Sequence, residues 1–530
     1  MDRRTFLKVS GVGSATLALP RVNAQRPPRR PNILFILADD LGWSDIGCYG
    51  SEIATPRLDG LAREGLRFNQ FYSTARCWPT RSALLTGYYP QQLHMDPPQG
   101  RLPAWARLLP HHLRPAGYRS YHSGKWHVNG APKPCADGGF DHSYVLDDHD
   151  RKFYPRSHRR DDKPLPPVEP GSRYYTATAF ADHAIECLRE HAEQHAEQPF
   201  FSYLAFTEPH FPLQAPAEDI ARYRDRYLTG WDQVRHDRWQ RQRDMGLVNC
   251  DLSPLDESFQ PRYFRPEFLT KLGPGETERT LPWSRLNDEQ KHFQATKMAI
   301  HAAMVDRMDR EIGRVLDQVK AMGAWEDTLI LFASDNGTDS TILVRGDGHD
   351  PAANPGSGGS YLCLGPSWSS AGNTPFRKHK HWVHEGGIAS PLIAHWPAAA
   401  LERGSLRHDV GHVIDIVPTL LDLSGAKSTM PAEAPNFPGR SLAPSLRTDQ
   451  GTSREIYFHH EGNRALRQGD HKLVSAREGG DVWELFDLSG DRCEQKNLAA
   501  AQPERVKAMA DRWQALDDQW AKDAGPVRKG

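Results

Sequence analysis

The stretch Asn32-Ile-Leu-Phe-Ile-Leu-Ala-Asp-Asp40 is a continuous apolar run that ends in two acidic residues. A run of this kind predicts a strand buried on both faces, as in a parallel sheet covered by helices. Residues 200–206 and 328–333 have the same character and end in polar residues, at 207–210 and 334–337. In such sheets the carboxyl ends of the strands are where ligands bind.

Helical patterns lie between these runs. The clearest is at 288–322, where Gly323 is the expected stop. Its apolar stripe consists of Met298, Val305, Met308, Ile312, Val315 and Val319. The alternation predicts an α/β fold with a large, mostly parallel central sheet flanked by helices. Short strand-like runs at 455–458, 471–474 and 483–486, then a helix near 503–521, predict a smaller C-terminal antiparallel sheet packed by one helix.

Length and composition predict a large core and more than one domain, since the chain has 530 residues and 38% hydrophobic content. We divide it into residues 1–30, a main domain at 31–428 with a polar, aromatic and irregular insertion at about 215–290, and a linker plus small subdomain at 429–530. The net charge of -1 gives no case for a nucleic-acid partner. The seven scattered cysteines predict one disulfide or none.

The N-terminus is typical of an export signal. Asp2-Arg3-Arg4-Thr5-Phe6-Leu7-Lys8 resembles a twin-arginine motif, and Val22-Asn23-Ala24 resembles a cleavage site. The apolar run between them is too short to span a bilayer permanently. A disordered basic tail is the alternative. We expect a twin-arginine signal peptide with its linker at 1–30, the export machinery as a partner, and a periplasmic or secreted protein.

Cys77-Trp78-Pro79-Thr80-Arg81 predicts a loop that enters a short helix, with Gly87 as its C-terminal stop. Cys77 would lie at the helix N-terminus, where free N–H groups favour anions, and Arg81 would lie on the same face. The alternative is an ordinary buried cysteine.

Acidic residues end two of the predicted strands. Asp39 and Asp40 can converge only if the chain turns between them. Together with Asp335 and Asn336 they offer the oxygen ligands of a hard divalent cation, calcium or magnesium. For Asp335-Asn336-Gly337 alone, a tight turn is the simpler interpretation.

Three further segments carry candidate residues. Lys125 and His127 share one side if the chain is extended there, although a surface loop is the alternative. His210 follows the second apolar run. Lys380 belongs to the basic run 377–380 and could be a solvated charge.

Together these segments resemble the type I sulfatases of the alkaline phosphatase superfamily, from about Pro31 to the C-terminus. The resemblance implies that Cys77 is oxidised to formylglycine by a formylglycine-generating enzyme, a transient partner, and that the aldehyde hydrate is the nucleophile. It implies that calcium, or less favourably magnesium, is held by Asp39, Asp40, Asp335 and Asn336 with modified Cys77. It also implies that Lys125 and Lys380 bind sulfate, that His127 acts on the formylglycine, and that His210 contacts the ester oxygen.

Sulfate-ester cleavage needs fixed positive charge around the equatorial oxygens and an acid beside the leaving oxygen. Arg81, Lys125, Lys380 and the metal provide the charge, and His210, with or without Lys380, provides the acid. Trp78 is bulky where the family usually has a small residue. We expect it to line the substrate pocket with Trp382 and His384.

The expected activity is hydrolysis of an aryl or carbohydrate sulfate monoester, with a sulfated small molecule or sugar as substrate. Two alternatives are open. One is a phosphonate monoester or phosphodiester hydrolase of the same superfamily. The other is a secreted, non-catalytic glycan-binding protein in which Cys77 is unmodified.

Overall fold

The computed structural model describes residues 30–345, 348–451, 454–480 and 482–527. The strands are β1 Asn32–Asp39, β2 Leu66–Tyr72, β3 Arg119–Gly124, β4 His142–Leu146, β5 His158–Arg160, β6 Lys163–Pro164, β7 Phe200–Pro209, β8 Thr328–Ser334, β9 Ala389–His395, β10 Ser405–Arg407, β11 Gly411–His412, β12 Glu455–His460, β13 Asn463–Gln468, β14 His471–Ser475 and β15 Glu484–Asp487. The α-helices are α1 Pro56–Glu64, α2 Cys77–Thr86, α3 Leu109–Leu113, α4 Thr176–Gln194, α5 Ala217–Ala221, α6 Gly230–Asp244, α7 Pro266–Leu272, α8 Asp288–Ala321, α9 Pro366–Gly372, α10 Glu385–Ile388, α11 Ile416–Ser424, α12 Ala443–Arg447 and α13 Pro503–Ala524. The expected signal peptide lies outside the described residues.

A large, mostly parallel sheet forms the centre of the fold, as predicted. Its strand order is β10-β2-β9-β8-β1-β7-β3-β4-β5-β6, with β11 also paired to β2. Strand β1 is parallel to both of its neighbours, β7 and β8. The ends of these three strands therefore meet at one edge of the sheet.

Strand β1 is apolar throughout because each of its faces packs against a different core. Leu34 and Ile36 belong to the core that contains Met298 of α8. Ile33 and Phe35 belong to the opposite core, which contains Leu84 of α2. With both faces covered, the sequence shows no alternation of polar and apolar residues.

Helix α8 has the predicted extent to within one residue. Asn287 caps it, because its side chain accepts from the backbone N–H of Gln290, and the Gln290 side chain completes a capping box. Gly323, with φ of 72°, follows its end. All members of the predicted stripe are buried.

The C-terminal region forms a second, antiparallel sheet in the order β12-β13-β14-β15. Helix α13 packs on it, with the Trp513 ring stacked on Tyr457 at a centroid distance of 5.6 Å. This sheet also contacts the main domain, since Lys472 Nζ lies 2.9 Å from Glu385 Oε1.

The segment 215–290 is more regular than the sequence suggests, because it contains the fifteen-residue helix α6. The buried face of α6 includes Arg235, Arg238 and Gln242, so its sequence lacks an apolar stripe. Among the described residues, no helix is long and apolar enough to cross a membrane. All seven cysteines are free.

Candidate active site

The two acidic residues at the end of β1 converge because the backbone turns between them. Asp39 is the last residue of the strand, and Asp40 is left-handed, with φ of 62°. Successive side chains of a straight strand point to opposite faces, so this turn brings the two carboxylates together. Both residues are buried.

Asp335 and Asn336 reach the same place because they follow β8, the neighbour of β1. The N–H of Asp40 donates to Asp335 Oδ1 at 3.2 Å, and Asn336 Nδ2 donates to Asp40 Oδ1 at 2.7 Å. Two buried oxygens, Asp39 Oδ1 and Asn336 Oδ1, have no hydrogen-bond partner among the residues that the structure describes. Buried oxygens without a partner are costly, so these atoms mark a place for a ligand.

Helix α2 has the predicted local structure. Cys77 is its first residue, Pro79 lies in its first turn, and Gly87 follows its end with φ of 81°. Burial alone would raise the pKa of the Cys77 thiol, but the charges of Lys125 and Lys380 bring it below its ordinary value. The cysteine thus lies in an electropositive, buried environment.

Arg81 connects α2 to the acidic residues. It is fully buried, and its Nε and NH2 lie 3.0 and 2.8 Å from Asp335 Oδ2. Its NH1 donates to the carbonyl oxygen of Lys125 at 3.0 Å, and its NH2 lies 3.7 Å from Asp39 Oδ1. Several contacts therefore fix the guanidinium beside the acidic residues.

Lys125 and His127 follow β3. Lys125 Nζ donates to Asp39 Oδ2 at 2.5 Å. His127 is left-handed, with φ of 51°, so the condition of an extended chain, under which Lys125 and His127 would share one side, is not met at His127. Its ring lies 5.7 Å from Trp78 and 5.5 Å from His149. Burial, together with the charge of Lys125, lowers the pKa of His127 well below its ordinary value.

Lys380 is not a solvated charge. It is buried, with its Nζ 2.8 Å from Asp40 Oδ1 and 3.2 Å from Asp339 Oδ2. Glycine positions this segment, because a Cβ on Gly387 would lie 1.9 Å from the carbonyl oxygen of Trp382. Burial opposes the charge of Lys380, but Asp40 and Asp339 raise its pKa well above the ordinary value.

His210 follows β7 and faces the same acidic residues. Its Nε2 lies 3.6 Å from Asp40 Oδ2, and its Nδ1 donates to the carbonyl oxygen of Phe211 at 2.5 Å. Burial and Lys380 lower its pKa well below the ordinary value. A neutral ring that donates from Nδ1 presents an unprotonated Nε2.

The predicted site residues thus form one buried network, in which Asp39, Asp40 and Asp335 face Arg81, Lys125 and Lys380. Burial would raise the pKa of Asp39, but the charges of Lys125 and Arg81 hold it well below the ordinary value. Burial raises the pKa of Asp40 to about 7, despite Lys380. Burial and Asp39 raise the pKa of Asp335 well above the ordinary value, despite Arg81. Burial thus raises the pKa of two of the three carboxylates, and a bound cation would favour their charged form.

The ligand atoms are only partly arranged as the resemblance implies. Asp39, Asp40 and His210 each offer an atom within 4.8 Å of the others. The Asp335 carboxylate instead faces Arg81 and the N–H of Asp40.

Sequence reasoning missed His149 and Asp339. The His149 ring lies between those of His127 and His210, at 5.5 and 5.6 Å. No motif marks His149, whereas the position of Asp339 four residues after Asp335 was a usable signal.

The aromatic residues expected at the pocket divide into two groups. Trp78 does lie beside His127, and its other edge contact is His460 of β12, at 6.1 Å. Trp382 and His384 instead bond to residues near β15: Trp382 Nε1 donates to Glu478 at 3.1 Å, and His384 Nε2 lies 3.4 Å from Glu484.

A second polar cluster lies at the edge of this site. His381, His460 and Glu461 offer ligand atoms within 4.8 Å of one another. Arg76, next to Cys77, donates to Glu461 Oε1 at 2.7 Å. Tyr263, half exposed, lies 6.0 Å from the His381 ring. The C-terminal sheet and segment 215–290 thus both contribute side chains next to Cys77.

Comparison with known protein families gives two matches. The profile of the sulfatase family matches residues 31–426, more than half of the chain. A second profile, described as the C-terminal part of N-sulphoglucosamine sulphohydrolase, matches residues 376–521.

Two similar proteins are named sulfatases, and one solved structure has a similar fold. An uncharacterised sulfatase of Schizosaccharomyces pombe is 32% identical, over 93% of this chain and 94% of its own. An arylsulfatase of Klebsiella aerogenes is 31% identical, over 75% of this chain and 87% of its own. A structure solved in complex with its substrate D-glucosamine-2-N,6-O-disulfate aligns with a TM-score of 0.64 and 21% identity, covering 95% of this chain and 100% of its own. The last likeness shows the alkaline phosphatase-like fold.

Proposed function

This chain belongs to the sulfatase family and hydrolyses sulfate esters, and we propose that it does so with a formylglycine made from Cys77 and a calcium ion held beside it. One observation carries the proposal. Two buried oxygens, Asp39 Oδ1 and Asn336 Oδ1, lack hydrogen-bond partners among the described residues, although Arg81 NH2 lies 3.7 Å from Asp39 Oδ1. Unpartnered oxygens among cations are what a bound metal ion would explain.

The donor set fits a hard divalent cation. Asp39, Asp40 and Asp335 offer carboxylate oxygens and Asn336 an amide oxygen, which are calcium and magnesium ligands. We prefer calcium because it accepts a larger and less regular ligand set. When bound, the metal would orient and acidify a hydroxyl and stabilise developing negative charge.

Cys77 is the proposed site of modification. It is buried, at the N-terminus of α2, with Pro79 and Arg81 at the positions of the family motif. If Cys77 is oxidised to formylglycine, its hydrate would supply the hydroxyl that displaces the alcohol from sulfur, and a second hydroxyl whose deprotonation would restore the aldehyde as the C–O bond to sulfate breaks. We propose a formylglycine-generating enzyme as the transient partner that modifies Cys77.

Three cations would bind the equatorial oxygens of the sulfate. Arg81, Lys125 and Lys380 enter the site from α2, from the end of β3 and from the segment before α10. Their separate attachment to the fold keeps them in place before substrate binds. Preorganised charge of this kind stabilises the transition state without reorganisation.

Proton transfer is assigned to His127, His210 and Lys380. Burial and Lys125 keep His127 neutral, so it can accept a proton near residue 77. The low pKa of His210 and the donation from its Nδ1 to Phe211 favour Lys380 as the proton donor to the leaving oxygen. His210 Nε2, which is unprotonated in this arrangement, would accept a hydrogen bond from the leaving hydroxyl once Lys380 has protonated that oxygen.

The alcohol part of the substrate would lie against the second polar cluster, at the edge of the active site. Trp78 and Tyr263 offer aromatic surface, while His381, His460 and Glu461 offer polar atoms suited to sugar hydroxyls. The solved relative that binds a disulfated glucosamine supports a sulfated sugar. We therefore propose a carbohydrate sulfate, with aryl sulfates as assay substrates.

The division at 31–428 and 429–530, the insertion at about 215–290, and export of the folded protein to the periplasm by the twin-arginine machinery are proposals too. They are tested by limited proteolysis and by locating the mature protein in the native host.

Modification and activity should be measured together. Protein made with a formylglycine-generating enzyme should show the aldehyde at residue 77 by peptide mass spectrometry. It should also hydrolyse 4-nitrophenyl sulfate faster than 4-nitrophenyl phosphate. Cys77→Ala should lose about 10⁴-fold in kcat, whereas Cys135→Ala should keep it. An active protein with an intact thiol at residue 77 would refute the proposal, and faster phosphate hydrolysis would indicate a phosphoryl hydrolase.

A further inference from the structure

A cavity of about 520 Å³ lies next to the segment that carries Lys380. His379 lines the cavity, whereas Lys380, the next residue, pairs with Asp40 in the active site. The other walls come from Arg235 of α6, residues 253–259, residues 376–378 and Gln495. None of the residues proposed for sulfate-ester cleavage lines it.

Arg235 is the unusual residue of this cavity. Its relative exposure is 4%, and among the described residues the carboxylate that acts on it, Asp232 one turn earlier on α6, makes no ion pair with it. Its NH2 donates to the carbonyl oxygen of Ser253 at 2.5 Å and to Ser253 Oγ at 3.2 Å. Its Nε is buried without any partner in the described part of the chain. A buried guanidinium with no counter-ion is expensive, and few proteins retain one without use.

The other charges around the cavity are already paired. Lys378 Nζ lies 3.1 Å from Asp256, and Arg377 NH2 lies 2.7 Å from Glu484. Glu257 pairs with Arg285 at 3.0 Å. Arg235 is therefore the charged residue of this wall without a direct ion pair among the described residues, with only Asp232 acting from a greater distance, and an anion would complete the site.

The size of the cavity and the residues that line it indicate a ligand larger than a single inorganic ion. Its volume falls within the range of about 300–1,000 Å³ that is typical of small-molecule sites. Leu255, Phe259 and Phe376 give it apolar surface, while Ser258 and Thr280 add hydroxyls. This combination suits a flat or ring-shaped body that carries one negative group.

We propose that this cavity binds an organic anion, a sulfate or carboxylate group carried on a ring, with Arg235 as its counter-ion. This binding site is separate from the formylglycine chemistry. The cavity would bind its anion even if Cys77 were never modified.

Calorimetric titration of the full chain tests the proposal, with benzenesulfonate as the ring-borne anion, inorganic sulfate as the bare anion and benzamide as the uncharged ring. Benzenesulfonate should bind, and Arg235→Met should weaken it by about 30-fold or more. Arg235→Lys should lose less. Lys378→Met, which removes an already paired charge from the same wall, should change affinity less than threefold.

Two further measurements separate this site from the active site. The inhibition constant of benzenesulfonate against 4-nitrophenyl sulfate hydrolysis should be the same in Arg235→Met and wild type. The melting temperature of Arg235→Met without probe should be equal to or above that of wild type, because a buried unpaired charge is removed. Benzenesulfonate binding that is unchanged in Arg235→Met, an Arg235-dependent binding of benzamide or inorganic sulfate as strong as that of benzenesulfonate, or no Arg235-dependent binding at all would overturn the proposal.

Discussion

Arg81 and Arg238 are both fully buried arginines that lie between two carboxylates, yet only one of the two clusters is closed. Arg238 Nε and NH2 each donate to Glu52 at 2.8 Å, and NH1 donates to Asp45 Oδ1 at 2.6 Å. Every guanidinium nitrogen and every carboxylate oxygen of that cluster has a partner. Around Arg81, by contrast, Asp39 Oδ1 has no hydrogen-bond partner among the described residues, and Arg81 NH2 lies 3.7 Å from it.

The pKa values of the acids move in opposite directions in the two clusters. Burial would raise the pKa of Asp45, but His301 and Arg238 hold it well below the ordinary value. At Asp335, burial and Asp39 prevail over Arg81, and the pKa rises well above the ordinary value. The same residue types thus form a structural cluster in one place and an incomplete, ligand-ready cluster in the other.

The largest expected difference comes from removing each arginine. Arg81→Met should lower kcat/KM for 4-nitrophenyl sulfate by about 10²–10³-fold, because it removes preorganised charge from the transition state. Arg238→Met should lower the free energy of unfolding by about 3–5 kcal/mol, because it removes the arginine that pairs with both Asp45 and Glu52 in the interior. Steady-state kinetics on both variants measures the loss of kcat/KM, and urea unfolding measures the loss of unfolding free energy.

Arg81→Lys and Arg238→Lys are the matched controls, since each keeps a cation in place. We expect intermediate losses of activity and of stability, respectively. A large stability loss in Arg81→Met with unchanged kcat/KM would show that both clusters are merely structural.

A smaller difference should appear in the response to calcium. Wild type should gain stability with rising free calcium, by about 2.7 kcal/mol at 100 times Kd, since the ion binds only the folded state. Asp40→Asn should lose this gain, because Asp40 belongs to the incomplete cluster around Arg81, where the ion is proposed to bind. Asp45→Asn should begin at a lower melting temperature and keep the gain.

Thermal unfolding at several calcium concentrations, repeated with magnesium, measures these shifts. Equal gains in Asp40→Asn and wild type would place any bound ion elsewhere in the protein.

The smallest expected effect is on pH dependence. The folded-state pKa of Asp45 is lowered, so its stabilisation is fully present above the unfolded value of about 4 and is lost as the pH falls below that value. The difference in unfolding free energy between wild type and Asp45→Asn should therefore shrink from about pH 5 to about pH 2. Asp470→Asn, at an exposed residue, is the control and should leave the slope unchanged. A constant difference would contradict the assignment.

The sequence predicts the cluster around Arg81 better than the cluster around Arg238. Asp39 ends β1, Asp335 follows β8 and Cys77 begins α2. The two buried strands are neighbours, so their carboxyl ends lie together. Asp45, Glu52, Arg238 and His301 come from separate segments with no motif. Only tertiary packing brings these four together.

Helix α6 explains part of what the sequence could not show. It supplies both Arg238 and Arg235 from its buried face, so polar residues occupy positions where an apolar stripe would have marked a helix. The turn at Asp40 could be inferred from the need for convergence. The left-handed conformation of His127 had no such signal.

A diffraction experiment at a wavelength suited to calcium anomalous scattering tests the central claim most directly, using crystals of the active protein grown with calcium. The account predicts one anomalous peak bonded at about 2.3–2.6 Å to oxygens of Asp39, Asp40, Asp335 and Asn336 and to modified residue 77. Density that fits only water, or a Lys125 or Lys380 ammonium in that position, would contradict it.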